Sequence, residues 1–241
     1  MSYYLNLSIL SNNLNNLPKT DRTRRLSAEA RRILSRFEGR PLARDDIARD
    51  TAGRPFFPNR AMDFSISHSG NLAAVSLVAG KNLRTGCDVE LVRPRAKAPA
   101  IAENYFSAPE RNYIESGGVF DVTRFYQIWT LKECFLKLRG LSVFDMAGAP
   151  SFVISKNQPR RNTESWYENQ LSLRETPCNS VVNILFGQIS FHLYELTGNA
   201  GERYILATAV KGTEMEQPEI RWFSQEALDC RCITKTDKIC D

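Results

Sequence analysis

From Val122 to Leu138 the chain runs without proline, and Phe125, Ile128, Leu131, Phe135 and Leu138 recur as an apolar stripe at helical spacing. This is the longest helix the sequence predicts. A second, basic amphipathic helix is predicted from about Arg22 to Phe37, where Leu26, Ala30, Ile33, Leu34 and Phe37 line one face with Arg24, Arg25, Arg31, Arg32 and Arg36 around them. Strands are expected elsewhere. Tyr3, Leu5, Leu7 and Ile9 alternate with polar residues or tyrosine, and Phe64 and Ile66 oppose Asp63, Ser65 and Ser67. Further strands are read at 72–79, 86–91, 188–194 and 204–210, and a polar loop at 157–180.

Composition narrows the function classes only coarsely. With 42% hydrophobic and 24% charged residues, a chain of 241 residues has an ordinary globular balance and length enough for a proper core. No apolar run approaches the roughly 20 residues that span a bilayer, and Met1 to Leu10 does not read as a leader, so a cytoplasmic protein without membrane attachment is expected. Cys87, Cys134, Cys178, Cys230, Cys232 and Cys240 are scattered and are expected to be free thiols. Their spacing, with only His68 and His192 for histidines, does not suit a structural zinc site. The net charge of +5 is compatible with nucleic acid, an anionic cofactor or an acidic protein partner.

Asp88 and Glu90 are two apart on a predicted strand, which points both carboxylates to one face. Such a pair can hold a hard cation such as magnesium, and it is equally at home on a solvated strand. On the long helix Trp129, Glu133 and Lys137 follow at intervals of four and share a face. Together these residues offer what phosphoryl transfer needs: metal ligands, a cation for developing charge and a group to orient or deprotonate a hydroxyl. The plainer alternative is an exposed ion pair between Glu133 and Lys137. Ser67-His68-Ser69-Gly70 ends a strand in small polar groups suited to an anion, although a lone histidine is often structural. A serine hydrolase is excluded by the lack of a GxSxG elbow or marked triad partners.

Three ordered blocks resemble the 4'-phosphopantetheinyl transferase superfamily, in its Sfp-like monomeric branch. They are Gly53-Arg54-Pro55-Phe56 with Asp63 to Gly70 (DFSISHSG), then Gly86-Cys87-Asp88-Val89-Glu90, then Trp129 to Lys137 (WTLKECFLK). A looser block, Phe106 to Glu110 (FSAPE), lies between them. Nothing after about Ser142 adds to the resemblance, and Leu138-Arg139-Gly140-Leu141-Ser142 departs from the paired glycines many members carry there.

The resemblance implies an α+β fold of two similar half-domains with the active site in the cleft between them. Residues 1–85 are then the first half-domain, 86–212 the second, and 213–241 a tail that either wraps on the body or frays. It also implies coenzyme A as co-substrate and Mg2+ as cofactor, with Asp88, Glu90 and Glu133 as metal ligands and Glu133 and Lys137 as catalytic residues. Arg25, Arg54, Ser67, His68 and Lys137 are the implied coenzyme A contacts. The expected reaction moves phosphopantetheine to a serine of an acidic acyl or peptidyl carrier protein, by a monomer that does not act on nucleic acid. A magnesium-dependent phosphoesterase and a basic nucleic-acid-binding module are the alternatives.

Overall fold

The structure, a computed structural model, describes residues 2–10, 14, 17–58, 61–152, 154, 182–186, 188–198, 201–212 and 219–224. The loop reading at 157–180 and the cysteines at 178, 230, 232 and 240 lie outside them. Cys87 and Cys134 are free and buried. No helix among the described residues is long and apolar enough to cross a membrane.

The chain opens with β1 (Ser2–Ile9) and α1 (Lys19–Phe37). The helix begins a turn earlier than its apolar pattern predicts, because Pro18 stands just ahead of Lys19 and proline's fixed φ suits a helix start. Leu26, Ala30, Ile33 and Leu34 form its buried face, while Arg24, Arg25, Arg31 and Arg32 are exposed. That face packs with Phe57, Phe64, Val75 and Leu77. Two short strands, β2 (Ala48–Arg49) and β3 (Pro55–Phe56), precede β4 (Met62–Ser69), β5 (Leu72–Ala79) and β6 (Arg84–Leu91).

After β6 come α2 (Ala98–Tyr105), α3 (Ala108–Glu115) and α4 (Val122–Arg139). Asp121 caps α4 by accepting from the backbone N–H of Thr123 at 2.8 Å and of Arg124 at 3.2 Å. Gly140, at φ 69°, ends it in the left-handed conformation that a side chain would resist, and the Leu141 N–H closes onto the Leu136 carbonyl. The stripe read from sequence understates this helix. Tyr126, Trp129, Thr130, Lys132 and Cys134 are buried as well as the stripe's Phe125, Ile128, Leu131 and Leu138. α4 is enclosed because a sheet covers one side, while Ala98, Ala102, Phe106 and Ile114 from α2, α3 and their connection, with Met146 and Phe152, join its core on another.

β7 (Val182–Phe186), β8 (Ile189–Thr197), β9 (Arg203–Lys211) and β10 (Glu219–Ser224) complete the described elements. One sheet has the order β10-β1-β5-β4 and the other β6-β9-β8-β7. All pairings in the second are antiparallel, whereas β10 runs parallel to β1 in the first. Part of the tail after Gly212 therefore returns to the sheet that holds the N-terminus. No periodicity marked it, because an edge strand of six residues carries too little pattern to stand out.

The two sheets meet at β4 and β6 through side chains. Asp63, Ser65, Ser67 and Ser69 on β4 accept in turn from the backbone N–H groups of Thr85, Cys87, Val89 and Leu91, at 2.8, 3.1, 3.2 and 3.0 Å. The period-two alternation of a strand puts four short polar side chains on one edge-facing row, and that row replaces a backbone ladder. Behind it Leu5, Leu7, Leu72 and Ala74 share one apolar cluster with Cys87, Val89, Tyr194, Tyr204 and Leu206.

Candidate active site

Asp88 and Glu90 leave β6 on the same face, as the alternation predicts, and both find serines of β4. Ser67 Oγ donates to Asp88 Oδ1 at 2.8 Å, and Ser69 Oγ donates to Glu90 Oε2 at 2.9 Å. The serines expected to be offered to an anion are thus already donating to carboxylates.

α4 crosses this face in close contact with β6. Gly86 makes the approach possible: a Cβ there would stand 2.8 Å from Leu138 Cβ, and closer still to the Cys134 carbonyl oxygen. The helical interval of four then spreads three side chains along the strand. Trp129 Nε1 donates to Glu90 Oε1 at 3.3 Å, and Lys137 Nζ donates to Asp88 Oδ1 at 2.6 Å and to Ser67 Oγ at 2.9 Å. Glu133 lies between them. The ion pair of Lys137 is made across to β6, which replaces the exposed Glu133–Lys137 pair considered from sequence.

The electrostatics follow from burial and crowding. Burial raises Glu133 to a pKa of about 7, with the charges of Asp88 and Glu90 adding to the effect and Lys137 opposing it. Glu90 is also raised, first by burial and then by Asp88. Burial pulls Lys137 down, but Asp88, Cys87 and Glu133 outweigh it and hold the ammonium above its ordinary range. A carboxyl poised near neutrality beside a fixed cation can take a proton from a hydroxyl at working pH.

Among the described residues no group of three or more His, Cys, Asp or Glu is arranged to hold a metal ion by itself. The donors present nevertheless suit magnesium. Asp88 Oδ2 is buried without a hydrogen-bond partner, the donors are all hard oxygens, and their mutual repulsion is what a divalent cation relieves. Magnesium commonly takes one or two carboxylates and leaves its other positions to water and phosphate.

Of the remaining residues predicted from sequence, Ser67 belongs to this cluster, His68 and Arg25 do not join it by any described hydrogen bond, and Arg54 reaches it only at the Lys137 backbone carbonyl. His68 alternates to the opposite face of β4, half-buried, its pKa lowered by burial and then by Lys137, so its imidazole is neutral at pH 7. Arg25 is exposed on α1. Arg54 is buried at the junction of β4 and β6, where its guanidinium pairs with Asp63.

Sequence reasoning missed the support behind α4. Lys132 is 2% and Glu110 0% exposed at the side chain, with Nζ 3.2 Å from Oε2, and Glu110 also accepts from the backbone N–H groups of Ser107 and Phe152. The FSAPE block and the lysine of the WTLKE block are therefore partners in a buried network. A glutamate three residues after a serine at a helix start was the available signal.

The family model described as the 4'-phosphopantetheinyl transferase superfamily matches residues 84–182, a span that begins with β6 and contains Asp88, Glu90, Glu133 and Lys137. This segment is similar to that superfamily. Over 103 residues the chain is 34% identical to 4'-phosphopantetheinyl transferase AcpT of Escherichia coli strain K12, covering 41% of the chain and 51% of the relative. It is 28% identical over 116 residues to 4'-phosphopantetheinyl transferase psf-1 of Bacillus pumilus, covering 48% and 45%. A putative 4'-phosphopantetheinyl transferase of Haemophilus influenzae matches at 27% over 107 residues, covering 44% and 45%. The chain spans about half the length of the curated relatives it matches. The superfamily match leaves Arg25, Arg54, Ser67 and His68 outside its span, so their roles rest on geometry.

Proposed function

We propose that this chain is a 4'-phosphopantetheinyl transferase that moves phosphopantetheine from coenzyme A to a serine of an apo acyl or peptidyl carrier protein. The observation that carries the reading is Glu133, poised at about 7 between two carboxylates and the Lys137 ammonium, inside the segment matched to the superfamily. A magnesium ion held by Asp88, Glu90 and Glu133 would supply charge neutralisation at the diphosphate. Lys137 binds a phosphate oxygen from the other side and holds Asp88 in place. Glu133, directly or through water, takes the proton of the carrier serine hydroxyl. The serine Oγ forms a bond to the β-phosphorus, the bond from that phosphorus to the bridging oxygen breaks, and its electrons leave with 3',5'-adenosine bisphosphate.

The division into half-domains, 1–85 and 86–212, belongs to the same reading. Its support is that each sheet carries a long helix, and that β5 and β9 are inner strands which each end at a glycine of unusual φ, Gly80 at 154° and Gly212 at 140°. The active site would lie where the halves meet, at β4 and β6. An acidic carrier suits a basic, monomeric, cytoplasmic enzyme, and Leu141, Val143 and Phe144, exposed by 46%, 44% and 85% directly after α4, give it apolar surface to dock on.

Mass spectrometry after mixing the protein, coenzyme A, magnesium and a panel of apo carriers tests the reading. A phosphopantetheine adduct on serine is expected. Hydrolysis of simple phosphoesters without carrier, and no adduct, would replace it with a phosphoesterase; salt-sensitive nucleic-acid binding and no adduct would replace it with a binding module.

A further inference from the structure

The geometry points to Arg54 as a positioning residue: its guanidinium locks the last turn of α4 onto the β4–β6 junction, and so sets where Lys137 and Glu133 stand relative to Asp88. The consequence for catalysis rests on the transferase reading; the clamp itself does not.

Arg54 is 9% exposed, and its donors are spent within the protein. NH1 and NH2 donate to Asp63 Oδ1 and Oδ2 at 2.8 and 2.5 Å, and NH2 also reaches the carbonyls of Phe64 at 3.2 Å and Thr85 at 3.1 Å. Nε donates to the Lys137 carbonyl at 3.1 Å. A guanidinium has five N–H donors in a fixed plane, so these contacts leave one N–H of NH1 for anything else. A nucleotide phosphate could take the fork only by displacing Asp63, whose side chain is 12% exposed and also accepts from the Thr85 N–H at 2.8 Å.

What the fork holds is specific. The Lys137 carbonyl is one of the last four in α4, which have no donor within the helix, and a cation there also meets the negative end of the helix dipole. Phe64 belongs to β4 and Thr85 to β6, so one planar group ties both strands to the backbone of the residue whose side chain grips Asp88. Arg54 is itself anchored, its N–H donating to Asp50 Oδ1 at 2.9 Å and its carbonyl accepting from the Asp50 N–H at 3.0 Å. Lysine has one charged nitrogen and cannot make this planar set of contacts.

The test compares Arg54→Met, Arg54→Lys, Asp63→Asn and the double variant Arg54→Met/Asp63→Asn. Three readouts are used: kcat and KM for coenzyme A, calorimetric binding of coenzyme A, and hydrogen exchange of the Gly140 and Leu141 amides. A positioning role predicts that all variants lose roughly tenfold to hundredfold in kcat, with KM and Kd for coenzyme A held within about threefold. Amide exchange rises by about tenfold, and the double variant is no worse than either single change, because both remove the same clamp. If Arg54→Met does not fold, Arg54→Lys and Asp63→Asn decide. The proposal is overturned if coenzyme A binding weakens about tenfold or more in Arg54→Met while Arg54→Lys restores it and exchange stays at the wild-type rate. It is also overturned if Asp63→Asn leaves kcat and exchange unchanged. Should the wild-type protein transfer nothing to any carrier, the transferase reading fails and exchange alone decides the clamp.

Discussion

The Lys137 ammonium sits 2.6 Å from Asp88 Oδ1 and shares that carboxylate with the Ser67 hydroxyl, so the cation on α4 and the acid on β6 are one unit before any substrate arrives. Replacing the lysine by methionine leaves Asp88 buried with only Ser67 to compensate it. Lys137→Met is expected to lower stability by about 1–3 kcal/mol without divalent cation, and to cut transfer about a hundredfold or more. Magnesium should raise its melting temperature more than that of the wild type, because the cation takes over Asp88. An equal shift in both proteins would detach Asp88 from metal binding.

Glu133 carries the opposite stability signature. Its folded pKa of about 7 lies above the ordinary 4.5, so between these values the folded state keeps a proton that the unfolded chain releases. Stability contributed by the neutral carboxyl is whole below pH 4.5 and is lost as pH rises to 7. Glu133→Gln is therefore expected to be more stable than wild type by about 1–3 kcal/mol at pH 8 in EDTA, and level with it at pH 4.5. Urea titrations at the two pH values measure this, and transfer by the variant should be nearly abolished. Near-normal transfer at saturating magnesium would remove Glu133 from the role of base.

The site was legible in sequence because its chemistry obeys two short periods. Asp88 and Glu90 share a face at an interval of two, and Trp129, Glu133 and Lys137 at an interval of four, so strand and helix geometry alone bring them opposite. What joins them was not legible. The serine hydroxyls that bond to Asp88 and Glu90 come from a strand 21 residues earlier, and nothing in the local pattern says which edge they meet. Arg54 shows the same limit: the family resemblance placed it at coenzyme A, and the Asp63 carboxylate that claims it is visible only in three dimensions. α4 was placed nearly to its ends by its apolar stripe and the absence of proline, but its burial on more than one side depends on α2 and α3, too short to register as helices.

Close packing of β6 on α4 gives a prediction that separates fold from chemistry. Gly86→Ala would place a methyl group against the Cys134 carbonyl and Leu138, with backbone on both sides and no flexible side chain to give way. A cost of about 2–4 kcal/mol is expected, read as a lower melting temperature, with the helix pushed off the strand. Since Trp129–Glu90 and Lys137–Asp88 both cross that gap, transfer should fall even in the fraction that remains folded. Wild-type stability in this variant would mean the gap is wider than described.

The pair Lys132 and Glu110 stabilises α4 from behind, and burial makes it asymmetric to break. Lys132→Met strands a carboxylate that is 0% exposed and is expected to cost about 3–5 kcal/mol. Lys132→Met/Glu110→Gln removes the stranded charge but keeps an acceptor for only one of the Ser107 and Phe152 N–H groups, so it should recover part of the loss. Denaturant midpoints of the three proteins give the answer, and a double variant no better than the single would contradict a charge-driven penalty.

Acid sensitivity should arise on the face of the second sheet opposite the one that carries Asp88 and Glu90. His192 on β8 is 3% exposed, its ring centroid 6.3 Å from that of Tyr3 on β1, and burial alone lowers its pKa to about 4. The folded state therefore holds the ring neutral where the unfolded chain protonates it, at about 6.5. Its contribution to stability is complete above pH 6.5, declines as pH falls from there toward 4, and flattens below. The full linkage, from 6.5 in the unfolded chain to about 4 in the folded one, is on the order of 3 kcal/mol. His192→Leu, neutral at every pH, should flatten the stability profile between pH 6.5 and 4 while leaving transfer at pH 7.5 within about twofold of wild type, since the ring touches none of the reacting groups. Parallel profiles for the two proteins would show that His192 titrates as freely in the folded chain as in the unfolded one.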